Sequence, residues 1–147
     1  MQFYTFQNTI NEEHKLAIMA LYQLVFNAKN MNKFLQRIEN EQDVLFLLAY
    51  KNGELAGFKI GYRKDKDVFY SWLGAVNQKY RRQGIAEELM RLQHDWCRQN
   101  NYKKIQTKTL NQWKSMLILN LKHGFDITET YCDEKGILKI MLEKVLN

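Results

Sequence analysis

Apolar residues repeat along the chain with two different periods, and the changes between them predict the order of helices and strands. A short strand at residues 3–6 comes first. Apolar residues near one face then predict a helix from about residue 11 to 28, with Thr9 and Glu12 as a capping box at its start. A second short helix follows, for which Asn30 is the predicted cap.

The middle of the chain predicts three consecutive antiparallel strands. Apolar runs at 44–50 and 55–62 flank an Asn-Gly pair, which is the strongest short signal for a β-hairpin. The charged segment 63–67 predicts a second turn, which leads into a strand at 69–76. Because apolar residues of this third strand fall on both of its faces, we expect helices on both sides of the sheet.

The last part of the chain alternates between helix and strand patterns. A central amphipathic helix carries Ile85, Leu89, Leu92 and Trp96 on one face, and Asn100-Asn101 is its predicted end. Then come a strand at 104–110, a helix at about 112–122, a strand at 125–131 and a closing strand at 137–144. The whole order predicts a single α/β domain with a mixed sheet of about seven strands.

Composition and charge limit the class of protein further. The 147 residues suffice for one domain with a core. The chain contains no apolar run near the roughly 20 residues of a membrane span. It also begins without a recognisable signal peptide, which is typical of a cytoplasmic protein. Cys97 and Cys132 fit no metal or redox motif, and the three histidines are isolated, so we expect two free thiols and no metal.

The formal net charge of +6 suits an anionic partner. A CoA-type cofactor, a nucleic acid and an acidic substrate all have the required charge. The basic residues are spread along the chain, whereas a nucleic-acid module more often shows a basic stripe with a recognisable motif. Nucleic-acid binding is therefore the less favoured alternative.

Residues 76–90 combine the features of an anion-binding site. A strand enters this stretch, an amphipathic helix leaves it, and Arg81, Arg82 and Gly84 lie between them. The first amides of a helix have no partner within the helix, and the helix dipole adds about half a positive charge there. Each arginine can bind two oxygens of one phosphate at once. These features predict a phosphate or pyrophosphate site, although solvated arginines at a surface helix start would give the same pattern. The glycine-rich motifs of dinucleotide folds and P-loops do not occur in the chain.

The pattern Arg81-x-x-Gly84-x-Ala86 resembles the acyl-CoA signature [Q/R]-x-x-G-x-[G/A] of the GNAT superfamily of N-acetyltransferases. The predicted element order is also similar to that of the GNAT fold. The resemblance implies one acetyltransferase domain over residues 1–147, with acetyl-CoA as co-substrate and no metal. The implied cofactor-binding residues are Ala75, Val76, Arg81, Arg82, Gln83, Gly84, Ile85, Ala86, Asn111 and Asn120.

A second GNAT pattern is only partly present. Gly124-Phe125 matches the end of its Tyr-x-x-x-Gly-Phe, but Asn120 occupies the tyrosine position, and Asn111 lies two residues before the usual asparagine. In many relatives that tyrosine protonates the departing CoA thiolate, which an asparagine amide cannot do. Asn120 and Tyr131 are the candidate catalytic residues. Alternatively, Asn120 bonds only to neighbouring backbone, or the chain binds acyl-CoA with little turnover.

The implied reaction is direct attack of a primary amine, from a small molecule or a protein, on acetyl-CoA in a ternary complex. A backbone amide of residues 73–76 would stabilise the oxyanion, and the amides of residues 82–86 would hold the pyrophosphate. The general base is not assigned, because residues 69–72 include no carboxylate; Glu54, Asp67 and Glu129 are the alternatives, each of which would otherwise be a solvated surface charge. A GNAT-fold sensor of acyl-CoA is the main alternative function, and a homodimer is a further expectation because dimers are common among relatives.

Overall fold

A computed structural model of the chain describes residues 1–28 and 31–147. Within these residues the element order predicted from sequence is confirmed, with seven strands and four α-helices. The bounds are β1 Gln2–Gln7, α1 Glu12–Phe26, α2 Asn32–Asn40, β2 Gln42–Lys51, β3 Glu54–Asp65, β4 Val68–Val76, α3 Ile85–Gln99, β5 Lys104–Leu110, α4 Lys114–Lys122, β6 Asp126–Cys132 and β7 Leu138–Val145.

All seven strands form one mixed sheet in the order β1-β2-β3-β4-β5-β7-β6. Neighbouring strands are antiparallel, except for β4 and β5, which are parallel. The predicted turn between β2 and β3 is confirmed, with Asn52 at φ 54° and Gly53 at φ 75°. Both residues lie in the left-handed region that this tight hairpin requires.

Helices cover both faces of the sheet, as the apolar pattern of β4 predicts. On the face that we call the α3 face, α3 and α4 pack over a core that includes Leu47, Leu89 and Ile105. On the opposite, α1–α2 face, the core includes Ile18, Phe34 and Phe58. Each described helix is too short or too polar to cross a membrane.

Several predicted element ends differ from those in the structure. The capping box at Thr9 is wrong, because Asn11 caps α1 with its side-chain oxygen, 2.9 Å from the amide nitrogen of His14. This helix ends at Phe26, since Asn27 is left-handed, and α4 begins two residues later than predicted. The predicted cap Asn30 lies outside the described residues.

Candidate active site

Strands β4 and β5 pair over only the first part of their length. Val68–Ser71 pairs with Lys104–Thr107, and the Thr107 hydroxyl donates to the Ser71 carbonyl at 2.8 Å where this pairing ends. Beyond that point, β4 continues alongside β3 and β5 continues alongside β7. The two strands therefore diverge and leave an opening in the sheet, which we call the β4–β5 gap.

Backbone amides of β4 line one side of this gap. Trp72 is an extra residue in the pairing of β4 with β3, and such a bulge changes the direction in which the following residues point. The Asn77 amide donates to the Ala56 carbonyl of β3 at 2.8 Å. Because successive residues of a strand direct their amides to opposite edges, Gly74 and Val76 direct theirs into the gap.

The predicted anion loop lies at the end of β4, directly before α3. Arg82 and Gly84 both adopt left-handed backbone conformations, with φ 63° and 78°, and Gly84 is the residue that caps α3. The loop from Arg81 to Gly84 is exposed, and α3 begins with the buried Ile85. The first amides of α3 are thus presented next to two exposed guanidinium groups, at the same end of β4 as the gap.

Tyr80 anchors this loop to the sheet. Its buried ring packs in the core of the α3 face, and its hydroxyl donates to the Glu54 carboxylate at 2.6 Å. Lys79 pairs with the same carboxylate at 2.8 Å. The hydrogen bonds from Lys79 and Tyr80 lower the pKa of Glu54, which makes it a poor general base.

The buried polar side chains of the described residues lie on the α3 face of the sheet. They are Lys59, Ser71, Gln93, His94, Thr107, Thr109 and Asn120. Several of their atoms have no hydrogen-bond partner within the described residues, namely both amide atoms of Gln93, Nε2 of His94 and Oγ1 of Thr109. Buried polar atoms normally have partners, so these atoms form an under-paired polar layer beneath α3 that solvent does not reach.

Two basic groups in this layer have strongly lowered pKa values. Burial lowers the pKa of Lys59 to about 8. Burial, followed by the charges of Lys144 and Lys59, lowers the pKa of His94 to about 3. The His94 ring is therefore neutral at physiological pH, and its Nδ1 accepts from the Lys144 ammonium at 3.0 Å.

The remaining site residues predicted from sequence fall into three locations. Ala75 and Val76 lie on β4 beside the gap, and Asn111 is exposed directly after β5. Asn120 is the buried residue of α4, and its carbonyl accepts from the amides of His123 and Phe125. Tyr131 is 36% exposed on β6.

Asn120 and Tyr131 do not come together. The Tyr131 ring lies 5.6 Å from Nζ of Lys108. Side chains alternate between the two faces along β5, and Thr107 and Thr109 lie on the α3 face. The side chain of Lys108 therefore lies on the α1–α2 face. Tyr131 is therefore on the opposite side of the sheet from Asn120.

Aromatic side chains line the α1–α2 face next to the gap. The Tyr22 ring stacks on Phe34 with centroids 4.9 Å apart, and Phe34 contacts Trp72 at 5.6 Å. Phe26 of α1 reaches Trp113 before α4, with the two ring centroids 6.1 Å apart. This second face thus offers an apolar wall on the other side of the same opening.

Sequence reasoning missed Lys59, Gln93 and His94. Lys59 lies between Phe58 and Ile60 in an apolar strand, and this pattern could have indicated a buried lysine. Its location beside the gap depends on the pairing of β3 with β4. Gln93 and His94 follow Met90 by three and four residues, so they share one face of the helix, but this spacing does not indicate a functional site.

Solved structures with this fold include several acetyltransferases. The ribosomal-protein-S18-alanine N-acetyltransferase from Escherichia coli superposes with a TM-score of 0.81 at 16% identity, covering 99% of this chain and 95% of that one. Aminoglycoside 6'-acetyltransferase type Ii superposes with a TM-score of 0.82 at 15% identity, covering 99% of this chain and 97% of that one. A chain of the NatC complex bound to Gag peptide and CoA superposes with a TM-score of 0.77 at 19% identity, over the full length of both chains.

At these identities the superpositions show a common fold. Comparison with curated protein sequences gives no match. The model of the acetyltransferase (GNAT) family matches residues 11–125, which is most of the chain. The protein therefore belongs to the GNAT acetyltransferase family.

Proposed function

We propose that this protein transfers an acetyl group from acetyl-CoA to a primary amine, of a small molecule or a protein, by direct attack in a ternary complex. The observation that carries the proposal is the β4–β5 gap, which opens beside the anion loop and is lined by the amides of Gly74 and Val76. Family membership supports acetyl transfer, and a CoA-bound structure of the same fold supports this donor.

The residues around the gap suit the parts of CoA. The amides of residues 82–86 and the guanidinium groups of Arg81 and Arg82 would hold the pyrophosphate. The amide-containing arm that joins the pyrophosphate to the sulfur would lie along the gap. Acetyl-CoA contributes the thioester, whose carbonyl would accept from Gly74 or Val76.

The acceptor amine would approach from the α1–α2 face. Its attack converts the thioester carbonyl into an oxyanion, and the preorganised amides of Gly74 and Val76 stabilise that charge where it forms. Holding the amine and the thioester on opposite sides of one gap also supplies rate enhancement through proximity. Tyr131 and Trp72 lie on the face from which the amine would enter.

Asn120 favours a second candidate function, a GNAT-fold acyl-CoA sensor or interaction protein with little turnover. The amide of Asn120 cannot deliver a proton to a leaving thiolate near neutral pH. Release of free CoA thiol, measured over a panel of primary amines, separates the two functions. Release above the hydrolytic background favours the enzyme, and binding without such release favours the sensor.

Calorimetric titration of acetyl-CoA into the wild type and Arg82→Glu tests the cofactor assignment. We expect binding to the wild type and a loss of about 100-fold or more in Arg82→Glu, because the substitution replaces a phosphate contact by repulsion. Lys66→Glu makes the same charge change in the exposed turn between β3 and β4 and should bind normally. A wild type that does not bind would refute the proposal and direct attention to nucleic acids.

A further inference from the structure

Lys59 is a buried lysine beside the β4–β5 gap. It lies in the middle of β3, and only 8% of the residue is exposed. Its stem lies over Gly74: Cγ and Nζ are 3.8 and 4.0 Å from the position that a Cβ atom on Gly74 would occupy. Gly74 itself is exposed and directs its amide into the gap, so the charge of Lys59 lies next to the proposed thioester site.

The groups around Lys59 do not neutralise its charge. Its partner on β2 is the apolar Leu47, and its partner on β4 is Gly74. On α3, the neutral ring of His94 is close enough for the charge of Lys59 to lower its pKa, and Lys144 of β7 contacts the same ring. Within the described residues, the ammonium group of Lys59 has neither a hydrogen bond nor an ion pair. A buried cation without compensation is unfavourable, and a negative charge formed beside it would be strongly stabilised.

Resting on the proposed function, we propose that Lys59 stabilises and then protonates the CoA thiolate that leaves during acyl transfer. Such a lysine would supply the proton that the tyrosine supplies in many relatives and that Asn120 cannot. Lys59 would act on the sulfur atom directly. It would therefore be a catalytic residue on β3, whereas the usual tyrosine lies at the position of Asn120 on α4.

The proposed step conserves atoms and charge. The acceptor nitrogen forms a bond to the thioester carbon, the carbon–sulfur bond breaks, and its electron pair remains on sulfur. A proton passes from the Lys59 ammonium to the sulfur. The neutral Lys59 side chain then takes a proton from water. The acceptor nitrogen releases its own proton to solvent. Burial lowers the pKa of Lys59 to about 8, so its ammonium gives up a proton more easily than an ordinary lysine, whose pKa is about 10.4.

The pKa of the CoA thiol in its complex with the protein measures this interaction without an acceptor. The absorbance of the thiolate would be followed as pH is raised, with CoA bound to the Cys132→Ser variant. The same titration with desulfo-CoA, which has no thiol, would be subtracted. Cys97 does not interfere, because burial raises the pKa of its thiol well above the range of the titration. We expect the bound thiol to titrate about 1 to 3 pH units lower with Lys59 present than in Lys59→Met, which keeps the apolar stem.

Matched variants make the result specific. Lys144→Met removes another lysine of the same layer and should leave the thiol pKa nearly unchanged, whereas Lys59→Arg should keep it low. Lys59→Gln replaces Lys59→Met in the comparison if the latter does not fold. An equal thiol pKa in the parent and Lys59→Met, with CoA bound to both, would refute the role of Lys59 and leave the cofactor assignment intact. A shift in Lys144→Met as large as that in Lys59→Met would also refute it, and a parent that does not bind CoA would refute both proposals.

Discussion

Lys59 and His94 are ionisable side chains that folding moves into a layer with little water. Their folded pKa values of about 8 and about 3 lie below the ordinary values of 10.5 and 6.5. Both groups therefore bind a proton more tightly in the unfolded chain. Stability rises with pH wherever the unfolded chain binds more protons, which is between pH 3 and 6.5 for His94 and between pH 8 and 10.5 for Lys59.

We predict that Lys59→Met increases the free energy of unfolding. At pH 7 the lysine is charged in both states, so the full cost of burying its charge is present, and its removal should stabilise the protein by up to about 3 kcal/mol. At pH 9.5 the folded lysine is neutral, and the gain should fall to about half of that. Urea unfolding of both proteins at the two pH values measures the effect, with Lys66→Met as an exposed control. A gain that does not change with pH would indicate better packing instead.

We also predict that substitutions of Asn120 and Tyr131 affect different substrates, because the two residues lie on opposite faces of the sheet. Asn120→Ala should raise the KM for acetyl-CoA by about tenfold, the effect of losing one or two hydrogen bonds. Tyr131→Phe should leave that KM unchanged and alter the KM for the amine. Steady-state kinetics with each substrate varied in turn measures both, once an acceptor is found. An increased acetyl-CoA KM in Tyr131→Phe would contradict this assignment of faces.

The sequence predicts the loop proposed to bind the anion but not the environment of Lys59. The reason is that the loop residues are adjacent in the chain, whereas the neighbours of Lys59 are far apart in it. Arg81, Arg82 and Gly84 follow each other between a strand end and a helix start, so local rules predict their arrangement. The burial of Lys59 depends on its pairing with Leu47 and Gly74 and on the packing of α3 above them. No short pattern contains those contacts, so the buried polar side chains beneath α3 appear only in the folded structure.

At the scale of elements, the turn that begins α3 would determine how closely the proposed phosphate group could approach. Gly84 has φ 78°, and a Cβ atom placed there meets no atom within 4 Å. The space beside Gly84 is therefore open and available to a ligand. Gly53, in the hairpin between β2 and β3, has φ 75° and equally open surroundings, which makes it a matched control.

We predict that Gly84→Ala and Gly53→Ala have similar effects on stability and different effects on binding. Each forces a side chain into the left-handed region and should lower the free energy of unfolding by about 1 kcal/mol. Only the methyl group at Gly84 would occupy the proposed phosphate position, so only this variant should bind acetyl-CoA more weakly. Thermal unfolding and calorimetry measure the two effects. Equal binding by both variants would contradict the placement of the pyrophosphate at this turn.

Element ends were predicted less well than element order, because caps depend on single hydrogen bonds. Thr9 and Asn11 are both suitable cap residues by type. Asn11 is the cap because it lies three residues before His14 in an extended conformation, with its side-chain oxygen near that amide. The order of strands along the chain was predictable, whereas the divergence of β4 and β5 required the observed register.

At the scale of the whole molecule, the gap divides the sheet into two parts. One part contains β1 to β4 and the other contains β5, β7 and β6, and the parallel pairing of β4 with β5 joins them over four residue pairs. A ligand in the gap would contact both parts. Binding of acetyl-CoA should therefore stabilise the sheet where β4 and β5 separate.

We predict that acetyl-CoA slows hydrogen exchange at the amides of Gly74 and Val76. Both face the gap, whereas the amide of Ala75 between them faces β3 and serves as an internal control. At a ligand concentration about 100 times Kd, exchange through the free protein should slow by about 100-fold at the two gap amides. Ala75 should already be protected without ligand, because its amide faces a paired strand. NMR-detected exchange resolves the three residues. Unchanged exchange at Gly74 and Val76, with binding established by calorimetry, would mean that acetyl-CoA lies elsewhere than along β4.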